Sequence, residues 1–269
     1  MNFIRILHDA LCDLWKHRTL ATVLAIRDTK ARYRSSLLGL FWAVFPPIAA
    51  AVGLAAAKGA GVVSFGNTSI PYPAYVIFGM SLWQLFTSAI TKPIAAFAAS
   101  RGLLTKVYFP REVIILSEIS KLAVFLIVQA ILVTAVFMYF KVSVNFSSIY
   151  IILPLLLLVI LGLTISLLLT PIALLFGDIN NALPFIVGAL FFITPVVYTA
   201  PPEGGLFSFV VHLNPITPLF EISRDFLYGS GPFAWQNFWI VTGVVLPSAC
   251  VALVFFRLAM PIVIERWSS

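Results

Sequence analysis

Long apolar segments alternate with short polar connections along the 269 residues of the chain. A helix of about 20 apolar residues, rising about 1.5 Å per residue, crosses a hydrocarbon core of about 30 Å. The pattern therefore predicts six transmembrane helices, at approximately 37–57, 73–91, 113–140, 149–176, 182–200 and 238–256. We expect an all-α, multi-pass integral membrane protein whose residues 1–269 form a single transmembrane domain.

The first 20 residues follow a different pattern. Apolar side chains such as Phe3, Leu7, Leu11 and Leu14 recur at helical spacing, and charged ones such as Asp9 fall elsewhere around the helix. This predicts an amphipathic helix that lies in the membrane interface. A helix packed on a soluble partner has the same periodicity, so both interpretations stay open.

The fifth and sixth apolar segments are joined by an unusual connection. Pro184 and Pro195 interrupt the fifth segment, and proline frees backbone carbonyls that lipid cannot satisfy. A helix broken beside a transport path and a kinked packing helix explain this equally well. Residues 204–229 then contain two short apolar stretches, split by Asn214 and Pro215, which either dip back into the outer leaflet or form a small external cap.

Basic residues indicate the orientation of these segments. Fourteen of the 17 Lys and Arg lie in the first 36 residues, in 92–121 and in the C-terminal tail. The opposite side receives only Lys58, Lys141 and Arg224. Because cytoplasmic connections are enriched in Lys and Arg, we expect both termini in the cytoplasm.

Composition supports lipid as the main solvent of this chain. Hydrophobic residues make up 61% and charged residues 10% of the sequence, against about 25% charged in soluble domains. The net charge of +7 comes from basic residues that flank apolar segments, so topology explains it better than nucleic-acid binding does. We expect contacts with membrane lipid and none with nucleic acid.

Motifs for catalysis by this chain are missing from the sequence. It contains no phosphate-binding G-x-x-x-x-G-K-[ST] loop and no H-E-x-x-H pair, and its histidines are scattered at His8, His17 and His212. Cys12 and Cys250 have no companion ligands, and we assign them no role. We therefore predict no catalytic residue, no metal site and no cofactor in this chain.

Ionisable groups are also absent from the middle of the predicted spans, where a proton- or sodium-driven transporter would need them. Glu118 and Lys121 come nearest, three residues apart on the third span, and we interpret them as a structural pair on one helix face. Active transport by this bundle would need energy from a partner, which the cytoplasmic connections would bind.

Four ordered strings carry a resemblance to a known family: residues 27–47, 72–86, 102–118 and 213–229. Together they resemble the permease subunit of ABC-2 type polysaccharide exporters, which move O-antigens, capsular chains or teichoic acids. The resemblance implies a homodimer in the bacterial inner membrane, with two separate ATPase subunits that bind ATP and Mg. It also implies that a lipid-linked polysaccharide passes from the cytoplasmic side through a conduit at the dimer interface.

The same resemblance implies where the working parts lie. The N-terminal helix matches the interface helix, about 100–110 the coupling helix, and about 206–228 the gate helices, where Glu221 and Arg224 would pair. The residues implied for contact with the ATPase are Arg101, Lys106, Tyr108 and Phe109. The conduit aromatics would be Tyr33, Phe41, Trp42, Phe45, Phe185, Phe192 and Tyr198, although aromatics in a membrane protein also serve as packing residues and interface anchors.

Three other functions account for part of these features. An ABC-2 exporter of a small lipid or drug would share the fold without a long conduit. A membrane-embedded enzyme acting on a lipid-linked substrate would depend on the acids Asp178, Glu203, Glu221 and Asp225, which are scattered over both sides of the predicted topology. An assembly subunit without transport activity would not explain why the coupling and gate strings occur together.

Overall fold

The computed structural model describes residues 3–34, 41–62, 68–106, 110–144, 146–201, 204–229 and 235–268, and these ranges are helical apart from turns and short connections. The α-helices and one 3-10 helix, η1, are α1 (Phe3–Lys16), α2 (Arg18–Arg34), α3 (Phe41–Gly59), α4 (Tyr72–Ala99), α5 (Arg101–Lys106), α6 (Glu112–Tyr139), η1 (Phe146–Ile151), α7 (Ile152–Leu175), α8 (Asp178–Ile193), α9 (Gly205–Leu213), α10 (Ile216–Tyr228) and α11 (Trp235–Ser268).

Five of the described helices are long and apolar enough to cross a membrane: α3, α4, α6, η1 with α7, and α11. They fall on the first four and the last of the predicted segments. The predicted all-α, multi-span fold class is therefore confirmed. A sixth crossing by length and composition is counted only if α9 and α10, which meet at a bend of 80°, are taken together.

The fifth predicted span is shorter than expected. The helix there, α8, has 16 residues and ends at Ile193, before the predicted limit of residue 200. Thr194 is extended, with φ −91° and ψ 134°. The cause is local, because the ring of Pro195 disfavours helical backbone at the residue before it.

Helix α4 forms the centre of the bundle. In the most apolar 18-residue stretch of each helix, buried residues make up 72% in α4, 11% in α3 and 17% in α6. It packs against α3, α6 and α7, and its crossing with α7 is very close. A Cβ added at Gly162 would lie 2.6 Å from Ala89 Cβ and 3.0 Å from Phe86 O. Glycine thus permits the two backbones to approach, as is usual for helices packed in lipid.

The predicted amphipathic helix is present as α1, with Ile6 and Ala10 buried and Trp15 exposed. A further helix, α2, follows at once and packs along α6, in a part of the chain for which the sequence pattern predicted no helix. The end of α4, the start of α6 and the second half of α11 meet in a hydrophobic cluster separate from the main core. This cluster includes Phe97, Leu104 and Phe256. Leu104 belongs to α5, so this short helix is anchored in the bundle by its own side chain.

Candidate functional site

The chain leaves helical structure at residues 194–198, a segment that we call the α8 break. Its carbonyls do not depend on water, because Arg224 on α10 donates to two of them. Arg224 Nη1 donates to Pro195 O and Nη2 donates to Val196 O, each at 2.7 Å. Donation from a neighbouring helix satisfies backbone groups that lipid would leave unpaired.

The next two carbonyls of the α8 break are satisfied from the other side, by the first turn of α4. Tyr72 Oη donates to Val197 O at 3.1 Å, and Tyr75 Oη donates to Tyr198 O at 2.7 Å. Four successive carbonyls thus receive side-chain donors from α4 and α10. The α8 break is therefore held between these two helices.

Gly79 on α4 provides the space for this arrangement. A Cβ at that position would overlap Val196 O and would lie 2.9 Å from Arg224 Nη2. Any larger residue would therefore push the α8 break away from α4. Gly79 lies one turn after Tyr75, at the point where the Val196 carbonyl, which accepts from Arg224, comes closest to the backbone of α4.

Arg224 is only 7% exposed, and the direct contacts of its guanidinium are with carbonyl oxygens and an aromatic ring rather than with a carboxylate. Its guanidinium lies 4.0 Å from the centre of the Tyr75 ring, a cation–π distance, and faces the two carbonyl dipoles. The pair that we expected between Glu221 and Arg224 is not formed as a salt bridge in the described structure. The two carbonyls and the aromatic ring take that place, and Arg224 Nε is buried without a hydrogen-bond partner.

The bent helix pair, α9 and α10, is joined to the same segment through Asn214. Its Nδ2 donates to Thr194 Oγ1 at 2.8 Å, and its Oδ1 accepts the N–H of Ile216 at 3.0 Å. Thr217 Oγ1 donates across the bend to Val211 O at 2.7 Å. The predicted split at Asn214 and Pro215 is therefore a cap and a sharp corner, and the bent helix pair occupies the predicted gate region.

Three of the predicted conduit aromatics lie together on α3. The rings of Phe41, Trp42 and Phe45 have centroids 5.3 to 6.3 Å apart. They are 44%, 58% and 42% exposed, so the described part of the chain leaves about half of each ring uncovered. Tyr33 lies within α2, but its side chain is outside the described ones.

The remaining aromatics lie on α8 and its break. Phe185 and Phe192 are 82% and 73% exposed. Tyr198 is the last residue of the α8 break. Its hydroxyl donates to Phe192 O at 2.9 Å, and its ring contacts Phe207. Helix α3 packs on α4 and α6, whereas α8 packs on α7 and α9 and contacts α4 through the rings of Phe191 and Trp83. One chain therefore carries the two aromatic sets on separate helices that share α4 as a neighbour.

A buried polar link inside the bundle was missed by sequence reasoning. Pro47 has no N–H, so the carbonyl of Ala43 on α3 loses its helical donor. Gln129 on α6 supplies one instead, donating through Nε2 to Ala43 O and to Gln84 Oε1, both at 2.9 Å. Ser81 Oγ completes the link with Gln129 Oε1 at 3.0 Å. An amide within an apolar span was the available signal.

The predicted coupling region contains the six-residue helix α5. The Arg101 guanidinium lies 5.0 Å from the ring centre of Trp267, near the end of α11. Of the other residues implied for ATPase contact, Lys106 ends α5 with a side chain outside the described ones, and Tyr108 and Phe109 lie outside the described residues. The structure therefore places one of the four, Arg101, against the last turns of α11.

Ion pairs connect the neighbouring helix ends. Glu118 and Lys121 form the predicted pair, and Lys121 Nζ also contacts Asp28 Oδ2 of α2 at 3.3 Å. Arg257 on α11 bonds Asp13 of α1 and lies 3.9 Å from a Glu112 oxygen of α6. These contacts attach α1 and α2 to α6 and α11.

The acids considered for catalysis do not form one centre. Asp178 begins α8, Glu221 and Asp225 belong to α10, and Glu203 lies outside the described residues. Among the residues that the structure describes, no group of three or more His, Cys, Asp or Glu is arranged to hold a metal ion.

Comparisons with known proteins identify the architecture. The ABC-2 type transporter family matches residues 19–228, from α2 to the end of α10. An O-antigen export system permease protein RfbA of Klebsiella pneumoniae is 28% identical over 232 residues, 84% of this chain and 87% of the relative. The protein of the same name from Myxococcus xanthus is 27% identical, covering 80% and 83%.

A polysialic acid transport protein KpsM of Escherichia coli is 24% identical over 206 residues, which cover 75% of this chain and 78% of the relative. The family match spans α8 and its break, the bent helix pair and the region of α5. The chain therefore belongs to the ABC-2 type transporter family and is the membrane part of a transporter, not an enzyme.

Proposed function

We propose that the chain is the membrane-spanning subunit of an ATP-driven exporter that moves a lipid-linked polysaccharide out of the cytoplasm of a bacterium. Relatives named for O-antigen export and polysialic acid transport support the substrate class. In this proposal the protein resides in the inner membrane with both termini in the cytoplasm, which the distribution of Lys and Arg supports.

The observation that carries the proposal is the uncovered aromatic surface of the single chain. Helix α8 buries only Leu183 among its described residues, while Phe185 and Phe192 project from it, and within the described chain the three rings of the α3 cluster are also partly exposed. Sugar rings present C–H faces that pack on aromatic rings without demanding one fixed hydroxyl pattern. We infer a homodimer in which these surfaces line a conduit for the sliding glycan.

Energy would come from two separate subunits that bind ATP and Mg, because the chain itself has no phosphate-binding loop. Their docking surface would include α5 and the residues after it: Arg101, Lys106, Tyr108 and Phe109. The Arg257 bonds support a role for α1 as a lever, since they connect α1 to α6 and α11. Movement of α5 would reach the same helices through Leu104 and Arg101.

The test is purification of the tagged chain from its own organism in mild detergent, with mass spectrometry of every subunit and lipid that accompanies it. We expect a stoichiometric ATP-binding subunit, ATPase activity and a lipid-linked glycan. Retention of a small lipid or drug with no glycan would contradict the substrate class. A preparation from intact complexes without any ATPase subunit would contradict the ATP-driven mechanism.

The conduit is tested separately by replacing Phe41, Trp42 and Phe45 together with alanine. Export of glycan should fall at least tenfold, because about 1 kcal/mol of contact per ring is lost along the path. Binding of the ATPase subunit should not change. The matched control is Ile127→Ala, which removes an equally exposed apolar side chain from α6 (58% exposed). Equal export by both variants would remove the α3 cluster from the conduit.

A further inference from the structure

A cleft of about 580 Å³ lies between α4, α6, η1 and α7, and it shares only Ser81 and Gln129 with the contacts described above. Sites for small organic ligands are typically about 300 to 1,000 Å³. Its wall on α6 includes Leu126, Ala130, Val133, Thr134, Phe137 and Met138. Ala130 and Thr134 are exposed in the chain, so the cleft opens sideways from the bundle.

The length of the cleft matches one leaflet of a bilayer. From Leu126 to Met138, α6 rises approximately 18 Å at about 1.5 Å per residue. A hydrocarbon core is about 30 Å thick, so one leaflet contributes about half of that. An extended hydrocarbon chain of one leaflet could therefore lie along this stretch of α6.

The polar side chains on the inner wall of the cleft already have hydrogen-bond partners within the protein. Ser81 and Gln129 line the cleft, but they are bonded to each other at 3.0 Å. The single hydroxyl hydrogen of Ser81 is shared between Gln129 Oε1 and Ile77 O, which lies 2.8 Å from Ser81 Oγ, and both amide hydrogens of Gln129 have acceptors within the bundle. The remaining wall is mostly aliphatic and aromatic, which favours an apolar occupant.

One end of the cleft carries a positive charge. Lys141 follows α6 and lines the cleft together with Ser148 of η1. Lys141 is exposed, and within the described part of the chain no salt bridge includes it. Met138, Tyr139 and Ile149 nearby are 75%, 80% and 72% exposed, so this end faces the membrane interface rather than the protein core. A lysine there attracts anionic headgroups.

We propose that the cleft binds one acyl chain of an anionic phospholipid from the surrounding bilayer, with the phosphate held by Lys141 and Ser148. The length and the apolar wall select a hydrocarbon chain, and the cation selects the headgroup. The bilayer supplies this ligand at high local concentration. The proposal stands independently of the transported substrate, because the cleft shares no residue with the aromatic sets on α3 and α8.

The experiment exposes the delipidated full-length chain to phosphatidylglycerol or phosphatidylcholine in detergent and counts retained lipids by native mass spectrometry. We expect one phosphatidylglycerol per protomer, retained in preference to phosphatidylcholine. Lys141→Gln should lower that preference about fivefold, the contribution typical of one lysine at a membrane surface. Lys58→Gln removes a lysine that does not line the cleft, and it should leave the preference unchanged.

A second pair of variants tests the cleft itself. Ala130→Trp places a large ring in the cleft and should abolish retention, whereas Ala135→Trp, which changes an alanine of α6 that is also exposed but does not line the cleft, should not. Equal retention by wild type and Ala130→Trp, both with the same melting temperature, would overturn the proposal. So would equal retention of the two phospholipids, preferential retention of an isoprenoid phosphate, or cross-linking through Met138→Cys that shows a second copy covering the cleft.

Discussion

The Arg224 guanidinium lies 4.0 Å from the centre of the Tyr75 ring, so a cation of α10 rests on an aromatic of α4. The same two residues donate to carbonyls of the α8 break. Three helices therefore meet at one set of contacts. Movement of the bent helix pair away from α4 would remove donors from backbone groups that lipid cannot satisfy, and this favours joint movement of all three elements.

Replacing Arg224 tests this arrangement. Arg224→Gln removes the guanidinium that donates to Pro195 O and Val196 O. Each such charge-assisted hydrogen bond contributes about 1.5 kcal/mol or more to the free energy of unfolding. We expect a loss of about 3 kcal/mol in the free energy of unfolding, measured by denaturation in detergent. Arg224→Lys should recover only part of it, because a single ammonium lacks the planar fork that reaches both carbonyls.

Glu221→Gln is the matched control for Arg224→Gln. It removes the charge of the residue that the sequence suggested as the partner of Arg224, while the observed donors remain in place. Its cost should be less than about 1 kcal/mol, as for a charge outside a direct pair. Equal losses for Glu221→Gln and Arg224→Gln would show that the carboxylate, and not the α8 break, balances the guanidinium.

Gly79→Ala should destabilise the protein, because its methyl group would overlap Val196 O. Overpacking of this kind costs about 1 to 3 kcal/mol. Gly53→Ala on α3 is the control, since a Cβ there meets no atom within 4 Å. Higher helix propensity should make that change neutral or slightly stabilising. Melting temperatures of both variants in one detergent give the comparison, and indistinguishable values would contradict the close approach at Gly79.

Gln129→Leu should leave the Ala43 carbonyl without a donor and should separate α3 from α6. A double-mutant cycle with Gln84→Leu measures the direct link between the two amides, which lie 2.9 Å apart. Hydrogen bonds between membrane helices average about 0.6 kcal/mol in such cycles, and we expect a coupling energy of that size. Strictly additive losses would mean that the two side chains do not interact.

The positions of the spans could be predicted because a long apolar run has few alternatives in lipid. The end of α8 follows a similar local rule, since Pro195 restricts the residue before it, although the span was predicted to continue to residue 200. Asn214 and Pro215 likewise marked the corner between α9 and α10. In each case the deciding interaction lies within a few residues along the chain, and it can therefore be recognised in the sequence.

Other parts could not be predicted because they depend on contacts between distant residues. The partners of Arg224 lie 28 and 29 positions away, and Gln129 meets Ala43 across 86 positions. Spacing on α10 suggested Glu221 as a partner, but the carbonyls of the α8 break lie closer in three dimensions. Helix α2 was missed because its apolar residues do not gather on one face, and packing on α6 stabilises it instead.

Arg257 provides the last prediction, which concerns the attachment of α1. Arg257→Gln should weaken the bonds to Asp13 and Glu112 and allow α1 to leave the bundle more often. Because the side chains are partly exposed, we expect a cost of about 1 kcal/mol, or about fivefold faster amide hydrogen exchange in α1. Arg5→Gln, an exposed arginine of α1 itself, should leave the exchange unchanged. Equal exchange in Arg257→Gln and wild type would show that apolar contacts such as those of Ile6 hold α1 without the ion pairs.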